Sequence, residues 1–336
     1  MANAPWPGAV AVSGGSDSLA LMLLLADWAA SRHLPPPTVV SVDHALRPES
    51  AGEARRVQRW AKQAGLVAKL LRRKGKAPRA DVEAAARQAR YGLIGEWARA
   101  NGLASVYLGH TRDDQAETFL IRLGRGSGVD GLSAMRPLCA YPLSGFGDLT
   151  LVRPLLAIER EVLRDFLRAR GQDWIEDPMN ADPRFARVRI RNAWPALEAA
   201  GLGKGRIADA AVHLGRARAA LDTVTEAVLA SACRFDGESA LLDSAALTAA
   251  PRELGLRALA RILMEVSQSP YRPRFERLER LFDRIGQGAS GTLHGCRITP
   301  APAARTLFGK GTLLVRREEI RRKPGKPRLP KPKRGS

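Results

Sequence analysis

The sequence predicts an α/β fold, in which a parallel sheet is covered by helices on both faces and is followed by a smaller α+β domain. Three observations predict it. Short apolar runs alternate with helical periodicity through the first half of the chain, a Gly- and Ser-rich turn follows the first run, and the alternation stops near residue 200. Because parallel strands need long crossover connections, this alternation favours a parallel sheet.

The first apolar runs are typical of strands that are buried on both faces. Residues 8–12 (GAVAV) and 38–43 (TVVSVD) are such runs, and residues 17–32 between them have a helical pattern. Further strands are predicted at 67–71, 104–109 and 149–152, and further helices at 49–65, 81–101 and 113–123. Parallel sheets bind ligands at the carboxyl ends of their strands, so we expect a site in the loops that begin at residues 13, 43 and 109.

The second half of the chain has a different texture. Glycines within 201–205 predict a linker between a first domain, 1–200, and a second domain, 206–319. Helices are predicted at 207–233, 252–266 and 275–285, and strands at 292–299, 305–308 and 312–316. The tail, 320–336, has eight basic residues, no acidic residue and several prolines, which predicts a disordered arm. It is either a solubilising tail or a segment that contacts RNA.

Composition narrows the class of partner. Lys and Arg number 54 against 34 Asp and Glu, and the net charge of +20 favours a polyanion, nucleic acid above all. No apolar run reaches the roughly 18 residues of a spanning helix, and the N-terminus does not resemble a secretory signal. Cys139, Cys233 and Cys296 form no C-x-x-C pair, which argues against zinc and iron–sulfur sites. We expect a cytoplasmic protein with free thiols and no membrane partner.

A phosphate cradle is predicted where the first strand meets the first helix. The segment there is SGGSDS (13–18). Gly14 and Gly15 allow positive φ angles and let backbone N–H groups approach a ligand. Ser16 is predicted to cap the helix, whose free N–H groups and dipole favour an anion. The segment matches neither the Walker loop nor the dinucleotide-binding pattern.

Carboxylates follow two other predicted strands. In LGHTRDDQAET (108–118), Thr111 is predicted to cap a helix together with Asp114 at its third position. Asp113 and Asp114 precede Glu117 by four and three residues and share a helix face with it, which indicates a site for a cationic substrate or Mg²⁺. Asp43 ends the second strand and is a candidate ligand of a metal or of the nucleotide.

Two arginines occupy one face of the third predicted helix. Arg87 and Arg90 are three residues apart in ARQARYG (86–92). They either hold phosphate groups or form a solvated basic face, and the sequence leaves both interpretations open.

These motifs together resemble the tRNA(Ile)-lysidine synthases. SGGSDS resembles the pyrophosphatase loop of the N-type ATP pyrophosphatases, which include this family. VDHALR (42–47) and GHTRDDQAET (109–118) resemble the family's V-D-H-x-L-R and G-H-x-x-D-D-Q-x-E-T signatures. Three further segments resemble motifs of the family: RLGRGSG (122–128), RPLL (153–156) and EDPMNAD (176–182). The resemblance covers residues 8–197. The chain departs from the family pattern at Thr111, Met179 and Val188.

The resemblance implies a Rossmann-like sheet of the PP-loop type and a two-step ligase reaction. ATP adenylates C2 of the wobble cytidine of the tRNA(Ile) with a CAU anticodon, which releases pyrophosphate. Free L-lysine then replaces AMP, and the codon read changes from AUG to AUA. ATP and Mg²⁺ are the implied cofactors, and tRNA(Ile) and lysine are the implied partners. No obligate protein partner is implied, and a homodimer is left open.

The resemblance also implies roles for individual residues. The implied ATP-binding residues are Ser13, Gly14, Gly15, Ser16, Asp17, Ser18, Asp43 and His110. Lysine is assigned to Asp113, Asp114 and Glu117, which form the implied catalytic set with Asp17 and Asp43; these last two are also the candidate Mg²⁺ ligands. The implied phosphate and tRNA contacts are Arg87, Arg90, Arg122, Arg125, Asn180, Arg187 and Arg191.

Other functions remain as alternatives. A PP-loop tRNA thiolase would need cysteines that carry sulfur, commonly in C-x-x-C pairs, and the chain has no such pair. An NAD or GMP synthetase would explain neither the charge nor the signatures at 42–47 and 109–118. A non-catalytic RNA-binding protein would not need the complete loop and carboxylate set.

We predict that removal of residues 320–336 weakens tRNA binding. The loss of eight cationic side chains should reduce the number of phosphate contacts, so the slope of log K against log salt should become shallower. Titrations of tRNA at several salt concentrations measure this slope. Unchanged binding at every salt concentration would assign the tail a solubilising role only.

Overall fold

A computed structural model describes residues 4–43, 49–73, 82–176, 182–269 and 271–318. In the range 82–176, side chains are described from residue 85 onward. The contacts divide the chain into two compact units, Met1–Ala219 and Ala220–Ser336. In the described ranges, no helix is long and apolar enough to cross a membrane.

A six-stranded sheet forms the centre of the first unit. Its strands are β1 (Ala9–Ala11), β2 (Thr38–Asp43), β3 (Ala68–Arg72), β4 (Ser105–Leu108), β5 (Leu138–Ala140) and β6 (Thr150–Val152). Their order is β3-β2-β1-β4-β6-β5. All neighbours are parallel except β5, which pairs antiparallel with β6 at the edge. The predicted parallel α/β fold is thus confirmed.

Helices lie between these strands and after the last of them, and helices pack on both faces of the sheet. They are α1 (Ser16–Ser31), α2 (Ser50–Gln63), α3 (Val82–Ala100), α4 (Arg112–Leu123), α5 (Val129–Leu132), α6 (Arg160–Ala169), α7 (Ala186–Ala199) and α8 (Lys204–Ala232). One core joins α1, α2 and α6 to Val10 of β1, and the other joins α3 to Ala9 of the same strand. Successive strand side chains alternate between the faces, so both cores use β1.

The strand order reverses beside β1. The chain proceeds from β1 through β2 to β3 on one side and then returns to place β4 on the other side. The loops after β1 and β4 therefore meet at one point, where open α/β sheets bind ligands. Their contact is close: a Cβ atom on Gly109 would lie 2.8 Å from the Asp17 carbonyl oxygen and 2.9 Å from the Ser18 Cα atom.

The second unit is built on an antiparallel sheet. Its strands are β7 (Cys233–Asp236), β8 (Ser239–Asp243), β9 (Gly291–Leu293), β10 (Cys296–Pro300) and β11 (Thr312–Arg317), in the order β7-β8-β11-β10-β9. The helices are α9 (Ser244–Ala249), α10 (Arg252–Ser267) and α11 (Phe275–Gly286). Leu259, Ile262 and Phe282 pack with Val315 in its core.

Several elements differ from the sequence-based expectations. The predicted strand 292–299 is the hairpin β9–β10, because His294 and Gly295 adopt positive φ angles of 58° and 72° and reverse the chain. The predicted strand 305–308 is wrong: the chain forms a 3-10 turn at Ala303–Arg305 instead. Sequence reasoning also missed α5, α6, α7, α9, β5, β7 and β8.

The division between the units lies inside α8, downstream of the glycines at 201–205. The helix starts at Lys204 and continues to Ala232 without a break, so these glycines do not separate two compact bodies. The domain assignments 1–200 and 206–319 stay predictions as functional divisions. The tail 320–336 lies outside the described residues.

We predict that Gly109→Ala destabilises the first unit and weakens nucleotide binding. Its methyl group would meet backbone atoms of α1, which cannot rotate away, so the two loops must separate. We expect a loss of roughly 1–3 kcal/mol in urea unfolding, in the range for overpacking.

Gly92→Ala is the matched control for this change. Gly92 lies within α3, and a Cβ atom there would have no neighbour within 4 Å. Alanine should stabilise that helix by up to about 1 kcal/mol. Equal effects of the two variants would show that the contact at Gly109 does not constrain the loops.

Candidate active site

A cavity of about 890 Å³ opens at the carboxyl ends of β1 and β4. It is at the large end of the roughly 300–1,000 Å³ range of small-molecule sites. The predicted site residues that line it are Ser13, Gly15, Ser16, Asp17, Ser18, Arg87, Arg90, His110, Asp113, Asp114, Glu117, Arg187 and Arg191.

The loop after β1 presents an uncapped helix N-terminus to this cavity. Gly15 is the N-cap of α1, and no side chain caps the helix there. The expectation that Ser16 caps the helix is wrong, because Ser16 is the first helical residue and its hydroxyl donates to Asp17 Oδ1 at 3.0 Å. The first N–H groups of α1 and the helix dipole therefore face the cavity, as an anion site requires.

Gly14 gives this loop its shape without lining the cavity. Its φ angle of +96° lies in the region that favours glycine. Its carbonyl accepts a hydrogen bond from the Ile175 backbone at 2.9 Å, and an added Cβ atom would lie 2.5 Å from Ile175 Cδ1. A side chain at position 14 would therefore displace the segment that closes over the loop.

The start of α4 carries the predicted carboxylates. Thr111 is the N-cap and forms a capping box with Asp114, as predicted: the Asp114 N–H donates to the Thr111 hydroxyl at 3.3 Å, and the Thr111 N–H donates to Asp114 Oδ2 at 2.9 Å. Asp113, Asp114 and Glu117 are all buried. The local sequence thus sets the helix start, and the packing encloses three charges.

Cations from three other helices pair with these buried carboxylates. Arg191 Nε of α7 donates to Glu117 Oε1 at 2.7 Å, and Lys204 of α8 lies 3.5 Å from Asp113 Oδ1. Arg160 of α6 reaches both Asp114 Oδ1 at 3.3 Å and Asp17 Oδ2 at 2.9 Å. The cluster is therefore nearly neutral, which reduces the cost of burying like charges together.

Asp17 and Asp114 share Arg160 but have opposite pKa shifts. Burial raises the pKa of Asp17, and the Arg160 guanidinium only partly offsets this effect. Burial also acts to raise the pKa of Asp114, but the Arg160 guanidinium and the Thr111 N–H outweigh it, so the pKa is lowered. Asp114 is thus an ionised acceptor, whereas Asp17 bears its charge at a cost that a bound cation would relieve.

His110 is held as a neutral ring. Burial and the nearby charges of Arg153, Arg187 and Arg87 lower its pKa to about 3. Arg153 Nε lies 3.2 Å from His110 Nδ1. Because a guanidinium can only donate, Nδ1 is the unprotonated nitrogen and Nε2 carries the proton. His110 therefore offers a hydrogen-bond donor at the cavity wall.

Arginines form another wall of the cavity. Arg87 and Arg90 lie over the Tyr91 ring, with guanidinium carbons 5.1 and 5.7 Å from its centroid. Burial, Arg87 and Arg187 lower the pKa of Arg90. Within the described ranges, Arg87, Arg90 and Arg187 form no salt bridge to a carboxylate, so their charges are available to an anionic ligand.

Other predicted residues lie away from the cavity or outside the description. Asp43 ends β2 as expected, but it is buried and accepts from the Ser50 hydroxyl at 2.7 Å. Arg122 donates to the Gly131 carbonyl at 2.7 Å, and Arg125 is exposed. Among the described residues that line the cavity, none of these three appears. Asn180 lies outside the described residues.

Sequence reasoning named RPLL (153–156) only as a family motif and gave no site role to the loop that follows β6. Arg153 and Arg160 both come from this segment, and Arg160 begins α6 there. The signal was available, since β6 is a parallel strand and its carboxyl end faces the same edge of the sheet as residues 13 and 109. Lys204 had no local signal, because it reaches the cluster only through the packing of α8.

The fold and the cavity define a PP-loop protein. The family model described as a PP-loop domain matches residues 7–197. Among solved structures, the U34-tRNA thiolase NcsA from Methanococcus maripaludis has a similar fold, with a TM-score of 0.50 and 16% identity over 62% of this chain and 72% of that chain.

Curated relatives identify the family within this class. A tRNA(Ile)-lysidine synthase from Ruegeria pomeroyi is 42% identical over 86% of this chain and 68% of its own length. Those from Bradyrhizobium sp. and Methylobacterium nodulans are 39% and 41% identical, over 95% and 93% of this chain and 90% and 91% of their own lengths. The chain belongs to the tRNA(Ile)-lysidine synthase family.

We predict opposite stability effects of Asp17→Asn and Asp114→Asn at neutral pH. A lowered pKa means that ionised Asp114 stabilises the fold above its unfolded-state pKa of about 3.8, and this contribution is lost as pH falls below it. The raised pKa of Asp17 has the reverse sign, so its stabilising contribution is lost as pH rises through the folded-state pKa.

Asp114→Asn should therefore lower the free energy of unfolding by about 1–3 kcal/mol at pH 7, whereas Asp17→Asn should leave it unchanged or raise it. Urea unfolding of the wild type and both variants between about pH 8 and pH 3 measures these differences in the free energy of unfolding. Each should shrink at the acid end, and the difference for Asp114→Asn should shrink only below about pH 3.8. An equal loss at both positions would contradict the assignment of the two environments.

Proposed function

We propose that this protein attaches L-lysine to the wobble cytidine of the tRNA(Ile) with a CAU anticodon, in a reaction driven by ATP. The product is lysidine, which pairs with AUA instead of AUG. The observation that carries the proposal is the presence, in one cavity, of an anion site at the start of α1 and a carboxylate cluster at the start of α4. The family membership of the chain supports the same reaction.

The first step is the formation of a leaving group. The C2 oxygen of cytidine attacks the α-phosphorus of ATP, and pyrophosphate leaves. Negative charge builds up on the phosphates, where the free N–H groups of Ser16 and Asp17 can stabilise it. The arginines of the cavity wall, Arg87, Arg90 and Arg187, would hold the outer phosphates.

The second step is the attack of the amine. The nitrogen of lysine bonds to C2, AMP leaves with the former C2 oxygen, and the amine loses a proton to a base of the cluster. Asp114 is the strongest candidate to hold the amine. The hydrogen bond that its Oδ1 atom accepts from Arg160 is long, at 3.3 Å, so an amine could replace it. Both Glu117 oxygens already accept from Arg191, at 2.7 and 3.3 Å.

The donor set of the cavity fits Mg²⁺ bound chiefly through phosphate. Mg²⁺ usually keeps several waters and takes only one or two carboxylates with the substrate phosphates. Asp17 fits this role, because it lines the cavity beside the anion site and burial raises its pKa despite the pairing with Arg160, so a cation would stabilise its charge. Asp43 fits less well, because Ser50 and Arg72 already engage its oxygens. The metal would neutralise the charge that develops on the phosphates.

The cysteines do not support sulfur transfer, which is the main alternative reaction. Burial raises the pKa of Cys233 and Cys296 to about 11, so both remain neutral thiols. Cys139 belongs to the first unit, but in the described residues it does not line the cavity. The solved thiolase therefore provides a likeness of fold only.

The basic surface is proposed to bind the tRNA backbone. Burial and the nearby charges of Arg218, Arg87 and Arg125 lower the pKa of Arg122, so these residues form a strongly cationic region. Such a region recognises phosphate and shape rather than bases. We propose the cytoplasm as the site of action, because tRNA, ATP and free lysine occur there together.

The direct test is incorporation of radiolabelled L-lysine into bacterial tRNA(Ile) with a CAU anticodon, with ATP and Mg²⁺. Methionine tRNA with the same anticodon is the control, and AMP is followed in parallel. Equal amounts of lysine-labelled tRNA(Ile) and AMP are expected. AMP formation without lysine transfer would reject lysine as the nucleophile, and folded protein that gives neither product would support a non-catalytic RNA-binding role.

We predict that two aspartates separate the two steps of the reaction. Asp17→Ala should abolish AMP formation, because the phosphate site loses its carboxylate. Asp114→Asn should raise the KM for lysine at least tenfold and change the KM for ATP little, since a neutral amide holds an ammonium group poorly.

Glu161→Gln provides a control for the loss of one negative charge. Glu161 lines the same cavity but is more than half exposed and pairs with Arg164 and Arg168. Its KM for lysine should remain close to that of the wild type. A similar rise in both KM values for Asp114→Asn would reject its assignment to the amine.

A further inference from the structure

Arg160 joins the anion loop to the carboxylate cluster. Its Nε atom donates to Asp17 Oδ2 at 2.9 Å, Nη2 to Asp114 Oδ1 at 3.3 Å and Nη1 to Glu117 Oε1 at 3.4 Å. The side chain is only 17% exposed. One guanidinium therefore occupies the position between the proposed phosphate subsite and the proposed amine subsite.

The backbone of Arg160 is fixed independently of this guanidinium. Its N–H donates to Asp113 Oδ2 at 2.8 Å, and the Arg112 N–H donates to the preceding Ile158 carbonyl at 2.9 Å. The start of α6 is thus tied to the start of α4. Between this anchor and the guanidinium lie the rotatable bonds of the side chain, so the charged group can move while the helix remains in place.

Asp114 is the carboxylate whose surroundings depend most on Arg160. Its Oδ2 atom accepts hydrogen bonds from the N–H and the hydroxyl of Thr111. Across the described residues, its Oδ1 atom has Arg160 as its hydrogen-bond donor. Glu117 differs, because Arg191 contacts both of its oxygens. Movement of Arg160 to the phosphates beside Asp17 would therefore release Asp114 Oδ1, while Glu117 would keep Arg191 and Asp113 would keep Lys204.

ATP would provide a stronger partner for this guanidinium. A triphosphate at the start of α1 brings several anionic oxygens next to Asp17. Arginine binds phosphate in a bidentate, charge-assisted geometry that exceeds long contacts of 3.3 to 3.4 Å in strength. The same guanidinium cannot hold the phosphates fully and also screen Asp114.

We propose that Arg160 is a positioning residue that couples the two subsites: its guanidinium either screens Asp114, through the contact described above, or holds the phosphates of ATP, so that ATP binding opens Asp114 to the amine of lysine. The inference rests on the proposed function for the identity of the amine. It implies that ATP strengthens lysine binding and, because linkage is reciprocal, that lysine strengthens ATP binding by the same factor. Lysine would then enter only a site that is ready to activate the tRNA.

The test is equilibrium binding of radiolabelled L-lysine to the full chain, with and without α,β-methylene ATP and Mg²⁺. This analogue cannot be cleaved between the α and β phosphates, so binding is measured without reaction. For the wild type we expect a Kd for lysine at least tenfold lower when the analogue is present. For Arg160→Gln we expect tight lysine binding without the analogue and less than a twofold effect of its addition.

Arg164→Gln is the matched control. Arg164 lies one turn further along α6 and lines the same cavity, but it pairs with Glu161 and Glu176 at 3.5 and 3.7 Å rather than with the cluster. This variant should keep the full effect of the analogue. Arg160→Lys retains the charge without the fork and should show a reduced effect, which keeps the test available if Arg160→Gln does not fold.

The outcomes separate this inference from the proposed function. Equal lysine affinity of the wild type with and without the analogue would overturn the coupling and leave the ligase reaction intact. So would a full analogue effect in Arg160→Gln or Arg160→Lys. Lysine binding that is undetectable with the analogue, in protein that still incorporates lysine into tRNA, would also overturn it, because tRNA rather than ATP would then open the site. Failure of both binding and incorporation would reject the proposed function itself.

Discussion

The buried carboxylates at the reversal of strand order, and the cations that neutralise them, constrain the rest of the first unit. Asp113, Asp114 and Glu117 are buried and Asp17 beside them is half-buried; the cations are Arg160, Arg191 and Lys204. A cluster of like charges this close cannot stay buried and ionised without counter-ions. The cations come from α6, α7 and α8, so the packing of three helices maintains one site.

The same constraint gives neighbouring carboxylates different chemical roles. Asp114 is anchored by its own helix start and by Arg160, which favours its charged form. Burial raises the pKa of Asp17 more than Arg160 lowers it, so the charged form of Asp17 is disfavoured. A cation that binds together with a nucleotide would stabilise this charge. Stability and function thus oppose each other at Asp17, as is common where a site keeps a charge for its ligand.

Local signals allowed part of this architecture to be predicted. The Thr111–Asp114 capping box and the apolar runs of β1, β2 and β4 each depend on a few adjacent residues, which a sequence displays directly. Ser16 misled for the opposite reason, because a serine beside a helix start has several possible partners and here takes Asp17. The hairpin at 292–299 was missed because only the left-handed turn at His294 and Gly295 divides an otherwise continuous strand pattern.

By itself, the sequence determined the fold class, the phosphate loop, the carboxylates at the start of α4 and the family, because contiguous motifs with fixed spacing carry this information. The tertiary structure decided which cation meets which carboxylate. Arg160 lies 143 residues from Asp17 and Arg191 lies 74 residues from Glu117, so no local pattern relates them. Their partnerships depend on how helices pack against the sheet edge, and burial there sets the opposite pKa shifts of Asp17 and Asp114.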